Sequence, residues 1–246
     1  MILSDHDIRD AIESGRVKID SPDEKYLENI GPSSLDLRCG RHFKLYEHTK
    51  FSLLDPADPA TFENCSRMIE LKDPNVPFIV QPNDFILGVT LESVALSADL
   101  VARVEGRSSL GRLGIIVHST AGFVDPGFSG TITLEITNIN RMPVALYPGM
   151  RVCQLAFETL TSPAEVDYSQ KKTQKYQNQV FPEESRITRD PEMVAIYNAR
   201  KKGRSCLPFF SRQFRLWRVR RRLRFRFPSW NTNRFLVRRF VMQGKN

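Results

Sequence analysis

The chain has 246 residues, enough for one large domain or a domain with an appendage, and its 41% hydrophobic and 26% charged residues are ordinary for a globular protein. The net charge of +8 hides a division: every acidic residue lies at or before Glu192, so residues 1–199 carry −8 and residues 200–246 carry +16. Cys39, Cys65, Cys153 and Cys206 form no C-x-x-C pair, the charged start lacks the apolar core of a signal peptide, and no run approaches the ~18 apolar residues of a membrane span, so a soluble, cytoplasmic protein without a disulfide framework is expected.

Ser4 followed by Asp7 resembles a capping box, and Ile8, Ile12 and Val17 predict a short amphipathic helix ending near Gly15. From Ser33 onward the period changes to two. Leu35/Leu37, Phe43/Leu45, Phe78/Val80, Phe85/Leu87/Val89, Val101–Val104, Ile132/Leu134/Ile136, Val144/Leu146 and Val152–Phe157 read as short strands. Turn signals at Gln81-Pro82-Asn83-Asp84, Asp125-Pro126-Gly127 and Tyr147-Pro148-Gly149 separate them. Short strands with regular punctuation predict a mainly β barrel or jelly roll, not a βαβ sheet. Residues 50–75, with Pro56, Pro59 and Pro74, read as a loop or a poorly ordered insertion. Residues 165–192 are too polar to form a core alone and either dangle or fold over something.

The segment Glu105–Glu135, EGRSSLGRLGIIVHSTAGFVDPGFSGTITLE, carries the chemistry. A small-residue loop with Arg107, Ser108, Ser109 and Arg112 offers the amides, hydroxyls and guanidinium groups that a polyphosphate requires. Asp125 and Glu135 supply two separate carboxylates, the groups that activate water. Glu135 alternates with Leu134 and Ile136, so it shares a strand face with Thr133 and Thr137. From the residues alone Glu135 is an exposed strand glutamate, Asp125 a turn aspartate before Pro-Gly, and the arginines solvated surface charge. The H-x-E…P-C-x-x-C zinc arrangement of most nucleobase deaminases is absent, and His6, His42, His48 and His118 do not sit at ligand spacing from a cysteine.

These residues as they stand resemble the dCTP deaminase family, which shares its fold with the trimeric dUTPases, and most of all the bifunctional branch that converts dCTP to dUMP and diphosphate. The resemblance runs from Met1 to about Arg186. It implies a dUTPase-like β-barrel or jelly roll with a short N-terminal helix, a C-terminal lid segment and an appended basic tail. It further implies a homotrimer with active sites between subunits, acting on dCTP or dUTP without zinc, and Mg²⁺ bound through the triphosphate. Glu135 is then the general base and acid, Ser108 and Arg112 position water and stabilise the site, and Ala121 offers its backbone carbonyl to the base. Asp125 binds the deoxyribose and orients the hydrolytic water. Nucleotide contacts extend over Arg107, Ser108, Ser109, Leu110, Gly111, Arg112, Asp125, Thr133, Leu134, Glu135, Gln154, Tyr168, Lys175 and Gln179. Gly122 and Phe123 after Ala121 match the bifunctional branch, where single-activity enzymes carry His and Arg; Gly122 leaves room for a water near the α-phosphorus. Cys153 stands where the family usually has Gly, which adds volume beside the sugar-phosphate pocket. A single-activity deaminase releasing dUTP, or a nucleotide-binding regulator with weak turnover, are the rival readings.

Residues 1–190 are expected to form the catalytic domain and residues 191–246 a separate tail. The tail holds the run Arg218–Phe227, rich in arginine and aromatics. Three readings stand for it: a binder of nucleic acid or an anionic surface through residues 200–246, a disordered extension, or an out-of-frame sequence.

Overall fold

The computed structural model describes residues 1–203; Cys206 and the Arg218–Phe227 run lie outside the described residues. The helices are α1 (Asp5–Glu13), α2 (Ser108–Gly111) and α3 (Pro191–Gly203). The strands are β1 (Val17–Asp20), β2 (Leu35–Arg38), β3 (His42–Tyr46), β4 (Ser66–Glu70), β5 (Phe78–Val80) and β6 (Phe85–Leu96). They continue with β7 (Leu100–Gly106), β8 (Ile115–Ile116), β9 (Phe123–Val124), β10 (Ser129–Asn138), β11 (Val144–Leu146) and β12 (Arg151–Thr159).

Helix α1 begins as its sequence dictates. The Ser4 hydroxyl accepts from the Asp7 N–H and the Asp7 carboxylate accepts from the Ser4 N–H, which satisfies two amides that the first turn leaves unpaired. Ile8 and Ala11 are the buried face. The helix stops at Glu13, and Gly15 at φ +74° lets the chain reverse. Val17 therefore belongs not to the helix, as its spacing predicted, but to β1, paired with Leu96 at the far end of β6.

Mainly β architecture follows, in two principal sheets. One has the order β4-β3-β6-β10-β8, with β1 also on β6; the other has the order β2-β12-β7-β9, and β11 pairs with β5 in a small ribbon. Phe43, Ile86, Leu134, Ile136, Leu146, Leu155 and Phe157 meet in one hydrophobic core. Strand β10 alternates as read: Leu134 and Ile136 are fully buried, and Thr133, Glu135 and Thr137 are half-buried on the other face. In β6 the core residue is Ile86, which alternates with the expected Phe85, Leu87 and Val89; Phe85 and Leu87 turn to the face they share with Glu135, and Val89 is buried.

Residues 50–75 are not merely a loop. Pro59–Thr61 form a 3-10 turn capped by Asp58, and β4 then pairs with β3 from Tyr46↔Ser66 to His42↔Glu70. β4 alternates only weakly, since Arg67, Met68 and Glu70 are exposed, so the period-two reading passes over it.

Residues 165–187 fold over the β3-β6-β10 face rather than dangling. The Tyr168 N–H donates to Pro126 O (2.7 Å), Asn178 N–H to Ser129 O (2.7 Å), and Thr131 N–H to Gln179 O (2.9 Å). The last contact closes a parallel bridge between Gly130 and Gln179. The far end is clamped where Glu184 accepts from both Lys44 and Ser66.

A buried ion pair joins the sheets. The Glu92 side chain has no exposure; it accepts from the Arg38 guanidinium (2.6 Å) and the Arg38 backbone N–H (2.8 Å), while Arg38 also reaches Asp23 and Ser21. The buried Glu92 carboxylate is paired and hydrogen-bonded, which is the condition under which a buried charge is tolerated. Met1–Tyr197 form one compact unit, and the first thirteen residues after position 190 are helical as α3. Among the described residues no helix is long and apolar enough to cross a membrane.

Candidate active site

A cavity of about 500 Å³ opens over the β3-β6-β10 face, roofed by the 165–187 segment. Adjacent strands set its floor. Lys44, Leu87 and Glu135 are cross-strand partners in one row, so Tyr46 on β3 and Phe85 on β6 fall on the same side as Glu135. One wall is the loop from His118 to Asp125, which is held down by the Val104 N–H donating to Gly122 O (2.7 Å). Tyr168, Tyr176 and Gln179 descend from the roof.

The expected site residues divide into two groups. Ala121, Asp125, Thr133, Glu135, Tyr168 and Gln179 all line this cavity. Leu134 lies beside it in sequence but sends its side chain into the core. The second group gathers at the end of the other sheet. Ser108, Ser109, Gly111 and Arg112 are exposed on and just after α2, and Leu110 is buried beneath them. Arg107 is not free surface charge; Asp36 binds its guanidinium at 3.1 Å and binds Arg151 at 3.3 Å. Gln154, opposite Asp36 in the β2–β12 ladder, accepts from the Ser34 hydroxyl (3.3 Å). Within one chain this phosphate-type group does not line the cavity.

Gly122 packs tightly against β7, since a Cβ on it would stand 2.8 Å from Val104 O. Two expectations change in detail. Cys153 is fully buried in the core, on the face of β12 opposite Gln154, and adds no volume to the site. Lys175 is held by its own segment: its N–H donates to the Tyr168 hydroxyl (3.2 Å) and its ammonium pairs with Asp190 (2.5 Å).

Other residues reach the site without a period or motif to announce them. Tyr46 stacks on Phe85 with ring centroids 6.0 Å apart. Burial, then the charges of neighbours including Glu184 and Glu135, push its phenol up to about 12, so it stays neutral. For Glu184, burial opposes ionisation, but the hydrogen bonds from Lys44 and Ser66 outweigh it and hold the carboxyl below its usual range. The two ring nitrogens of His118, the Thr133 hydroxyl and the Gln179 carbonyl oxygen are buried without a protein partner, and all three side chains line the cavity. Buried polar atoms are normally paired, so this wall is built for a polar ligand. Together the cavity supplies a carboxylate, unpaired donors and acceptors, and aromatic faces suited to a flat heterocycle.

Comparison with known proteins agrees. The dCTP deaminase-like family profile matches residues 2–160. The chain is 52% identical over 190 residues to the protein named dCTP deaminase, dUMP-forming, of Dictyoglomus thermophilum, covering 77% of this chain and 96% of that one. Identity is 51% over 193 residues to the protein of the same name from Methanothermobacter thermautotrophicus, covering 78% and 96%. It is 48% over 190 residues to the dCTP deaminase of Thermomicrobium roseum, covering 77% and 95%. The solved 2'-deoxycytidine 5'-triphosphate deaminase of Agrobacterium tumefaciens superimposes with a TM-score of 0.51 at 24% identity, over 65% of this chain and 48% of that one, which supports the fold. With the family profile spanning most of the described body, and about half of its positions identical in relatives matched almost end to end, the chain belongs to the dCTP deaminase-like family.

Proposed function

We propose that the protein converts dCTP to dUMP, releasing ammonia and diphosphate. The observation that carries this reading is Glu135 on the floor of a ligand-sized cavity, in a lining shared with Ala121, Thr133 and Asp125, in a chain about 50% identical to relatives named dUMP-forming. Glu135 takes a proton from water as its oxygen bonds to C4 of cytosine, then delivers that proton to the 4-amino nitrogen; ammonia departs, and the remaining hydroxyl proton passes to N3 as the C4 carbonyl forms. Proton transfers of this type contribute ~10²–10⁴-fold in rate. Ala121 O accepts from the base, and Asp125 orients a second water that splits the bond between the α and β phosphorus.

The phosphate-type residues Arg107, Ser108, Ser109 and Arg112 and Gln154 stand outside the cavity of their own chain. This separation favours a trimer in which a neighbouring subunit brings them over the mouth. The exposed apolar side chains of Leu113, Ile116, Ile139 and Met142 suit such an interface. Arg112 and Ser108 then position the deaminating water, and Lys175 and the Arg107 loop meet the phosphates. Mg²⁺ would enter through the triphosphate oxygens and would supply charge neutralisation there; among the described residues no cluster of three or more His, Cys, Asp or Glu side chains forms a protein cage. The catalytic body is assigned to residues 1–190, within the compact unit Met1–Tyr197, and the basic sequence of residues 191–246 is read as an appendage to it. The buried thiols of Cys39 and Cys153 suit a reducing cytoplasm.

The relative from Thermomicrobium roseum, named only dCTP deaminase, keeps a dUTP-releasing reading in play. Turnover of dCTP in ¹⁸O-labelled water separates the two. The dUMP-forming reading requires one label at C4 and a second shared between dUMP and diphosphate. Label at C4 alone, on dUTP, refutes it.

A further inference from the structure

We infer that Asp190 is a built-in competitor for the substrate's phosphates at Lys175. The inference rests on the reading that Lys175 is a phosphate contact, and deepens it by naming what holds that contact back.

The backbone of Lys175 is fixed at both ends. Its N–H donates to the Tyr168 hydroxyl, itself a cavity wall, and its carbonyl accepts from the Arg186 guanidinium. The freedom that remains is in the side chain, whose ammonium is turned to Asp190 at 2.5 Å and does not line the cavity. Both partners are about three-quarters buried, at 25% and 24% exposure, so the pair is shielded more than a surface pair yet remains within reach of solvent ions.

Asp190 is held in place as well. Its N–H donates to Ile187 O (3.0 Å) and its carbonyl accepts from the Val194 N–H (3.0 Å), which sets it at the junction with α3. Glu183, on the same segment, is paired with Arg186. Lysine is a compact charge on a flexible four-carbon stem, so it swings between anions at little conformational cost. A triphosphate carries several charges where Asp190 carries one, and it draws the ammonium away. The carboxylate thus lowers affinity for any polyphosphate and leaves the chemistry at Glu135 untouched.

Asp190→Asn keeps the backbone junction and removes the charge. Steady-state turnover of dCTP by the full chain is measured for this variant, for Lys175→Met and for the double variant, at low salt and at about 0.5 M salt. The expected result is that Asp190→Asn lowers KM about threefold at low salt, the scale of a partly exposed ion pair, with kcat unchanged and the gain lost at high salt. Lys175→Met alone raises KM, and in that background Asp190→Asn has no effect. A raised KM in Asp190→Asn means that Asp190 orients Lys175 toward the ligand, and overturns the inference. An equal gain with and without Lys175 means simple repulsion between carboxylate and phosphate, and also overturns it. If Lys175→Met leaves KM unchanged, the phosphate role of Lys175 fails, and this inference fails with it.

Discussion

The roof over the cavity depends on a glycine that lines no part of it. Gly130 sits at φ +141°, where an L side chain costs about 1–3 kcal/mol. A Cβ there would also stand 2.9 Å from both the N and the O of Gln179, contacts too short to hold. In Gly130→Ala the 165–187 segment has to lift, because β10 at this end is fixed by its ladder to β6, where Gly130 lies opposite Val94. Lifting breaks the Thr131 N–H bond to Gln179 O, the Asn178 N–H bond to Ser129 O and the Gln179 carboxamide bond to Thr131 O. At about 0.5–1.5 kcal/mol net for each bond, the loss is roughly 2–4 kcal/mol and falls on the roof rather than the core. Trypsin reads this out at Lys171, Lys172 and Lys175. Cleavage there is expected to rise by about thirtyfold or more, the factor that 2 kcal/mol gives in a closed-to-open ratio, with a raised KM for dCTP and a nearly unchanged melting temperature. Gly31→Ala, whose Cβ meets nothing nearer than 3.5 Å, serves as the control and changes none of these. Wild-type protease resistance together with a wild-type KM in Gly130→Ala would refute the seating argument.

Glu135→Gln keeps the shape of the floor and removes the base, so ammonia release is expected to fall at least ~10²-fold while nucleotide binding, followed by calorimetry, persists. Glu92→Ala leaves the Arg38 guanidinium with Asp23 as its remaining charged partner and strips the buried Arg38 Nε and backbone N–H of their acceptor, so it is expected to lower stability by about 1–3 kcal/mol in chemical denaturation, in contrast to exposed acids such as Glu63. The Glu184 clamp is pH-dependent: its carboxyl titrates below its ordinary value of 4.5, so the clamp is complete above that value and is lost as pH falls through the depressed one. Roof protection in hydrogen exchange should follow that acid limb, and Ser66→Ala, which removes one donor, should move the limb upward. A chain ending at Tyr197 retains the unit Met1–Tyr197 and should keep its oligomeric state in light scattering and its turnover.

Where side chains alternate strictly the sequence was readable. Thr133-Leu134-Glu135-Ile136 assigns its own faces, because Leu134 and Ile136 leave no doubt about the core side. Turn chemistry was readable for the same local reason: Gly127 and Gly149 take positive φ just after the prolines at 126 and 148. β4 was hidden because its outward residues are mixed and its pairing with β3 lies across the connection of residues 47–65. Glu92 shows no local sign of burial, since what permits it is Arg38, which arrives from another sheet. Phe85 and Leu87 look like core in the sequence because an apolar wall for a flat ligand and an apolar core have the same pattern. The residue types of the candidate site stand in Glu105–Glu135, but their division into a cavity group and an outer group is a matter of tertiary placement that spacing does not encode.

Purified protein incubated with dCTP and Mg²⁺, with nucleotide products resolved by anion-exchange chromatography and ammonia and diphosphate counted alongside, tests the central claim most directly. The account predicts dUMP, with ammonia and diphosphate each in equal amount to it and little dUTP at any time. Accumulation of dUTP with ammonia and without diphosphate would contradict the coupled reaction, and unchanged dCTP would contradict catalysis altogether.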